Sequence, residues 1–327
     1  VKNITSDDIF SIGSLQQFEK LTLDIFRFQA ANCHIYSDFL THLGIDVSSV
    51  LRLEDIPYLP IEFFKTHQIT SSEAQAEITF TSSGTTGTTQ SKHPVTDLSV
   101  YEQSYSACFQ QFYGDIRNYA ILALLPSYQE REGSSLIYMI DDLIQSGHSE
   151  SGYFLYNHND LAETLNRLKS EKTHTILIGV TYALLDFAES HTVEFPELIV
   201  METGGMKGKR REMIREELHE ALCQGFGVPA IHSEYGMTEL LSQAYSKGGG
   251  LFHAPAWMKI SIRNTNDPLE LLGSGQTGGI NVIDLANLNS CSFIATQDLG
   301  KVYPDGSFEI LGRFDNSDIR GCNLLIQ

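Results

Sequence analysis

From residue 77 onward the apolar positions fall into two alternating patterns. Short apolar or β-branched runs recur at residues 77–81, 120–125, 153–156, 175–178, 197–201 and 230–233. Apolar residues return every three or four positions over 97–112, 134–145, 161–169, 182–188 and 209–223. The first pattern predicts short strands and the second amphipathic helices. Their alternation predicts βα units around a largely parallel sheet. The pattern changes near Gly248, Gly249 and Gly250. Residues 258–263, 279–284, 292–295, 301–303 and 307–311 then read as short strands separated by Gly, Asp and Asn, with no helical stretch. The predicted architecture is α/β, with stacked βα layers over residues 1–250 and a β-rich subdomain over 251–327. Near the start, Ser14 and Gln17 have the spacing of a capping box, ahead of a helix carrying Phe18, Leu21, Ile25 and Phe26. Residues 56–65 contain two prolines and read as an extended connector.

Composition narrows the function classes. The 327 residues are 42% hydrophobic and 19% charged, an ordinary globular balance. A formal charge of -19 lacks the basic footprint of a nucleic-acid binder and is repelled by anionic membrane surfaces. No apolar stretch is long enough to span a bilayer. Residues 1–10 are polar and acidic, so no signal peptide is visible, and a start at Val rather than Met leaves the chain open to being part of a longer product. The five cysteines, Cys33, Cys108, Cys223, Cys291 and Cys322, are widely spaced and form no CxxC. Neither a disulfide framework nor a zinc cage is expected, and a reducing cytoplasm is the predicted location.

Three segments carry candidate chemistry. The first is residues 79–92, where a strand enters a loop of Ser82, Ser83, Gly84, Thr85, Thr86, Gly87 and Thr88, followed by Lys92. Glycines let backbone approach a polyanion, hydroxyls and N–H groups donate to phosphate oxygens, and a lysine adds charge. The spacing is not that of a Walker A loop, and a flexible linker is the plain alternative. The second is Glu234, Tyr235, Gly236, Met237, Thr238 and Glu239 after a strand. In α/β sheets such loops form the ligand crevice, although the hexapeptide alone reads first as an ordinary turn. The third contains Asp298 with Gly300, then Asp305–Gly306, then Gly312, Arg313 and Asp315. Asp298 suits vicinal hydroxyls and Arg313 a phosphate or ribose, while each alone also suits a β-turn.

In this order, the Thr/Ser/Gly loop, YGxTE, DxG and GRxD resemble the adenylate-forming superfamily. Within it, the chain is most similar to LuxE-type acyl-protein synthetases, and next to phenylacetate-CoA-ligase-type enzymes. The likeness includes Ile56 to Ile61 leading to Phe64 and Lys65, Tyr128 to Leu136, and Gly312 to Asn316 continuing to Asn323. The resemblance implies ATP-dependent activation of a carboxylic acid, fatty or aromatic, as acyl-adenylate, with transfer to a thiol. It implies that Ser82 to Thr88 and Lys92 cradle the β- and γ-phosphates. Tyr235, beside Gly236, would lie against adenine, and Gly204 and Gly205 would line the base pocket. Thr238 would contact the α-phosphate, Glu239 would hold Mg²⁺, and Asp298 would bind ribose with Arg313 beside it. Lys92, Thr238 and Glu239 are the implied catalytic residues.

Superfamily members continue for about another domain, which carries a lysine that drives adenylation. This sequence stops at Gln327, shortly after the hinge motif at Asp315, so that small C-terminal domain is expected to be absent or truncated. A short or further tail, help from a partner, and a non-catalytic nucleotide-binding or scaffold remnant are the open readings; the intact upstream motifs favour the first. The acceptor is open among a cysteine of the chain or a partner, a carrier protein and coenzyme A. Cys322 stands near the end, but its flanks suggest a buried strand cysteine. His93 reads as a phosphate contact or a solvated loop residue. His232 reads as a pocket residue or a packed strand histidine, and Glu130 with Arg131 as a carboxylate site or a surface pair. Lys209, Arg210 and Arg211 read as a solvated face or a docking patch for an acidic carrier, and Trp257 as a packing residue.

Overall fold

The computed structural model describes residues 4–83, 89–125, 133–204 and 213–313. The chain forms two units. One comprises Val1–Tyr105, Met237–Ser242 and His253–Gln327, and the other Ser106–Gly236 and Gln243–Phe252. The single cut that the sequence predicts near residue 250 thus gives way to an interleaved division. The reason lies in the first hundred residues, which lack βα alternation and pack with the strands near the C-terminus.

In the unit containing Ser106–Gly236, the strands Tyr119–Leu124, His174–Gly179, Ile199–Glu202 and Ile231–Tyr235 pair in parallel, as the alternation predicts. Gly152–Tyr153 pairs in parallel with Tyr119–Leu124, and Ala244–Ser246 runs antiparallel to Ile231–Tyr235. Ala120, Ile121, Leu122, Ile176, Leu177 and Val200 are all buried, the near-continuous apolar run of strands covered on both faces. The helices are Ser135–Ser146, His158–Glu171, Thr181–Ser190 and Arg215–Phe226. Ser134 and Asn157 cap two of them, accepting from the N–H groups of Ile137 and Asp160. The last helix starts at Arg215, later than its charge pattern suggests. The strand predicted over 230–233 continues to Tyr235, so Glu234 and Tyr235 belong to the strand and not to the loop after it. The strand predicted over 153–156 reduces to two residues, Gly152–Tyr153.

In the other unit, Met258–Arg263, Gly278–Asp284, Phe293–Val302 and Phe308–Arg313 form an antiparallel meander. The strands predicted over 292–295 and 301–303 are one strand of ten residues. Its intervening residues 296–300 look turn-like, but Leu299 and Gly300 pair with strands on both sides and Asp298 pairs with Arg313. A 3₁₀ turn, Leu285–Asn289, appears where no helical signal was visible. The helix Leu15–Asn32 buries Phe18, Ile25, Phe26 and Gln29. Ser14 Oγ accepts from the Gln17 N–H, but the Gln17 side chain accepts from Gly13, so half of the capping box forms. A second, unforeseen helix, Ser6–Phe10, has both halves of its box through Thr5 and Asp8. The supposed connector is tied down: Leu59–Pro60 pairs in parallel with Phe293–Val302, and Phe63–Thr66 is helical. Among the described residues no helix is long and apolar enough to cross a membrane.

Candidate functional site

The Ser/Thr/Gly segment joins two paired strands. Ile78–Thr81 pairs antiparallel with Lys92–Val95, with Thr81 opposite Lys92. The Ser82 N–H donates to Ser91 O at 3.1 Å. The Ser91 N–H donates to Ser82 Oγ at 2.9 Å, closing the neck. Lys92 is exposed on the returning strand and Ser83 on the loop. Gly84, Thr85, Thr86, Gly87 and Thr88 lie outside the described residues.

His93 is neither of the things its sequence suggests. It is 1% exposed, and Nδ1 donates to Thr238 O at 2.9 Å. A carbonyl only accepts, so Nδ1 carries the proton and Nε2 accepts from the Ser290 hydroxyl at 2.9 Å. Burial lowers the imidazole to about 4, which keeps it neutral. The strand that carries Lys92 therefore also holds the backbone at Thr238.

Glu239 is buried, and burial raises its carboxyl above the usual range. A Ser91 hydrogen bond and the charges of Arg313 and Lys65 oppose that rise. Asp298 and Arg313 face each other across paired strands, and Arg313 Nε donates to Asp298 Oδ1 at 3.2 Å. This unit thus brings together Thr238, Glu239, Asp298, Arg313 and the hairpin neck at Ser91 and Lys92. Among the described residues no three His, Cys, Asp or Glu side chains form a metal cage. Mg²⁺ commonly takes one or two protein carboxylates and completes its shell with phosphate and water. Glu239 offers one such carboxylate, which fits an ion arriving with a nucleotide, while the Arg313 and Lys65 charges suit the phosphates.

The other unit carries Gly204, Tyr235 and Gly236. Gly204 follows the strand Ile199–Glu202 at φ 74°, a region that side-chain-bearing residues rarely adopt. Its N–H donates to Glu202 Oε2 at 2.7 Å. Arg215 Nη1 donates to Glu202 Oε1 at 3.3 Å and to Ser233 Oγ at 3.4 Å. His219 Nε2 is 3.8 Å from the same carboxylate, beyond hydrogen-bond range. Burial alone would raise Glu202, but these cationic and donor neighbours hold it below the usual carboxylate range. Among the described residues Glu234 has no such help: burial first, and then the Glu202 charge, push it up to about 8. Its Oε1 lies where a Cβ on Gly236 would approach to 2.4 Å, so Gly236 keeps that space clear. Tyr235 is 8% exposed and packs edge-on against Phe252. His232 is packed, with Nδ1 3.1 Å from the Tyr113 hydroxyl. Sequence reasoning missed Glu202 and Arg215, and it named Glu234 without a role. Glu202 is signalled only as the last strand residue before two glycines, and Arg215 is hidden in a charged helix.

Gly205, Lys209, Arg210, Arg211, Glu130, Arg131, Asp315 and Cys322 fall outside the described residues. Cys33, Cys108 and Cys291 are buried, and Cys223 is half-buried. Burial raises the thiols of Cys33, Cys223 and Cys291, the opposite of a reactive cysteine.

The family model described as acyl-protein synthetase, LuxE, matches residues 13–327. The chain belongs to the LuxE acyl-protein synthetase family. A long-chain-fatty-acid–luciferin-component ligase of Photorhabdus luminescens is 39% identical over 70 residues, covering 21% of this LuxE-family chain and 60% of the relative. ATP-bound MatB of Rhodopseudomonas palustris superposes with a TM-score of 0.54 at 18% identity, over 72% of this chain and 47% of that one. A 2-hydroxyisobutyryl-CoA ligase in complex with 2-HIB-AMP and CoA gives a TM-score of 0.67 at 10% identity, covering 97% of this chain and 80% of that one. The LuxE-family chain spans about half the length of the MatB structure. At such identities the likeness is one of fold, and that fold is the α/β architecture of the adenylate-forming ligases.

Proposed function

We propose that this LuxE-family chain uses ATP and Mg²⁺ to activate a fatty or aromatic carboxylic acid as an acyl-adenylate, releasing pyrophosphate, and passes the acyl group to a thiol. The observation that carries the reading is the convergence in one unit of Glu239, Arg313, Asp298 and the His93-held Thr238 at the neck of a hydroxyl- and glycine-rich hairpin. The reaction must bring a carboxylate against the α-phosphate of a polyanion, and positive charge and donors must offset that repulsion. Lys92 and the hydroxyls of Ser82 and Ser83, with Gly84 to Thr88, hold the outer phosphates. Thr238 donates to the α-phosphate. Asp298 accepts from the ribose hydroxyls, and Arg313 orients Asp298 through the bond at 3.2 Å. Gly204 and Gly205, Tyr235 and Gly236 form the base pocket. Glu239 holds Mg²⁺, which supplies charge against the departing pyrophosphate. The chemistry belongs in the reducing cytoplasm, where thiol acceptors persist.

The thiol comes from a cysteine of the chain or a partner, or from a carrier protein. The CoA complex of the 2-hydroxyisobutyryl-CoA ligase favours coenzyme A as a second reading of the acceptor. Acid-dependent ATP–pyrophosphate exchange, with aliphatic and aromatic acids and Mg²⁺, tests the first half-reaction. Exchange with some acids is the expected result and names the substrate class. ATP binding without exchange for any acid would overturn catalysis by this chain alone and leave the nucleotide-binding remnant.

A further inference from the structure

Residues 236–243 belong to no strand or helix, yet Leu241 and Ser242 are buried. Buried backbone N–H groups need partners, and here two side chains supply them. Asp284 ends the strand Gly278–Asp284 and is 0% exposed. Its Oδ2 accepts from the N–H groups of Leu241 and Ser242, each at 2.9 Å. Its Oδ1 accepts from the Ser242 hydroxyl at 2.6 Å and the Ala286 N–H at 3.1 Å. Asn287, also 0% exposed, takes a share of the Leu241 N–H through Oδ1 at 3.0 Å. Its Nδ2 donates to Glu239 O at 2.8 Å and to Cys291 O at 3.0 Å. Gln29 in turn fixes the backbone of Asn287, donating to its carbonyl at 2.9 Å.

These bonds reach the backbone of Glu239, Leu241 and Ser242. His93 holds the carbonyl of Thr238 from the opposite direction in sequence. Asp284 and Asn287 thus hold Glu239 by its carbonyl and the two residues that follow at Leu241 and Ser242, and His93 holds the carbonyl of Thr238, so the fixed backbone brackets the residues that carry the proposed α-phosphate and Mg²⁺ contacts. An apolar turn would fill the same space without burying a carboxylate, so what these polar groups add is a fixed backbone.

We propose that Asp284 and Asn287 are positioning residues for the activation step: they fix the backbone from Glu239 to Ser242 so that the Thr238 hydroxyl and the Glu239 carboxylate meet the nucleotide in one arrangement. This rests on the reading given under Proposed function. Neither residue touches substrate; each acts through the peptide it binds.

The test uses the full chain with Asn287→Ala and, as the milder change, Asp284→Asn. In hydrogen–deuterium exchange without ligand, the amides of Leu241 and Ser242 should exchange at least about tenfold faster in the variants. In acid-dependent pyrophosphate exchange, kcat should fall about 10–100-fold while KM for the acid stays unchanged, as a misplaced site residue requires. An unchanged kcat with faster amide exchange overturns the proposal. So does a loss of rate that only follows the folded fraction. If Asn287→Ala does not fold, Asp284→Asn decides by the same criteria. A wild-type chain with no exchange activity defeats the reading under Proposed function instead. The calorimetric affinity for Mg²⁺–ATP then decides: at least about tenfold weaker binding in the variants supports the clamp, and equal affinity, or no ATP binding by the wild type, overturns it.

Discussion

In the unit containing Ser106–Gly236, Tyr235 and Gly204 take their places from strand ends: Tyr235 is paired with Ala244, and Gly204 follows a strand by two residues. In the other unit, Thr238 and Glu239 lie on a segment with no regular structure, and side chains of Asp284, Asn287 and His93 hold it. The first arrangement spreads positional information over many backbone bonds. The second concentrates it in three side chains. A strand-held residue should therefore tolerate changes around it, whereas a clamped one should fail when a single partner is removed.

The sharpest contrast comes from truncation. Asp284→Ala leaves the buried N–H groups of Leu241 and Ser242 short of an acceptor and should cost about 3–5 kcal/mol in urea unfolding. Tyr235→Phe, on the strand-held side, should cost less than about 1 kcal/mol; equal losses would erase the distinction. Next in size is Glu239→Gln, expected to lower pyrophosphate exchange about 100-fold. Because burial already disfavours the Glu239 carboxylate, the same change should leave the unfolding midpoint unchanged or raised. A lowered midpoint would mean that the charge is structural.

The paired carboxylates of the other unit offer a pH test. Glu234 titrates near 8 when folded, above its ordinary value of 4.5. Its contribution to stability is complete below 4.5 and is lost as pH rises through 8. Glu202 runs the other way: held below 4.5, its contribution is present above that value and is lost as pH falls through its folded value. Glu234→Gln should flatten the decline of Tm between about pH 5 and 8; an unaltered slope would show that Glu234 does not titrate there. The smallest effect is expected at the half-exposed Arg313. Arg313→Ala should change stability by less than about 1 kcal/mol, while weakening ATP binding in calorimetry. A large loss of stability would make the Asp298–Arg313 pair structural.

Much of the strand-held unit was legible because parallel strands buried on both faces leave continuous apolar runs, such as Ala120 to Leu124 and Thr175 to Gly179. The meander was legible in outline from its turn residues. What the sequence hid was mostly polar and nonlocal. Asp284, Asn287 and Gln29 look like ordinary strand-end, loop and helix residues, and their partners stand 43, 48 and 258 positions away. His93 adjoins a hydroxyl-rich loop and looked solvated, yet it lies on an inward strand whose second half, with Pro94, carries no alternation to reveal it. Glu234 could be placed beside the YGxTE loop, but not inside a strand and against Glu202.

The spacing of the clamp also sets an order of events during synthesis. Leu241 leaves the ribosome 43 residues before Asp284, and Glu239 48 residues before Asn287. At ordinary elongation rates that is a wait of roughly 2–10 s. Throughout it, the N–H groups of Leu241 and Ser242 lack the acceptor that later fixes them, while the parallel strands upstream are already complete in sequence. A nascent chain stalled before residue 284 would own the YGxTE motif with His93 as its holding side chain and without Asp284 and Asn287.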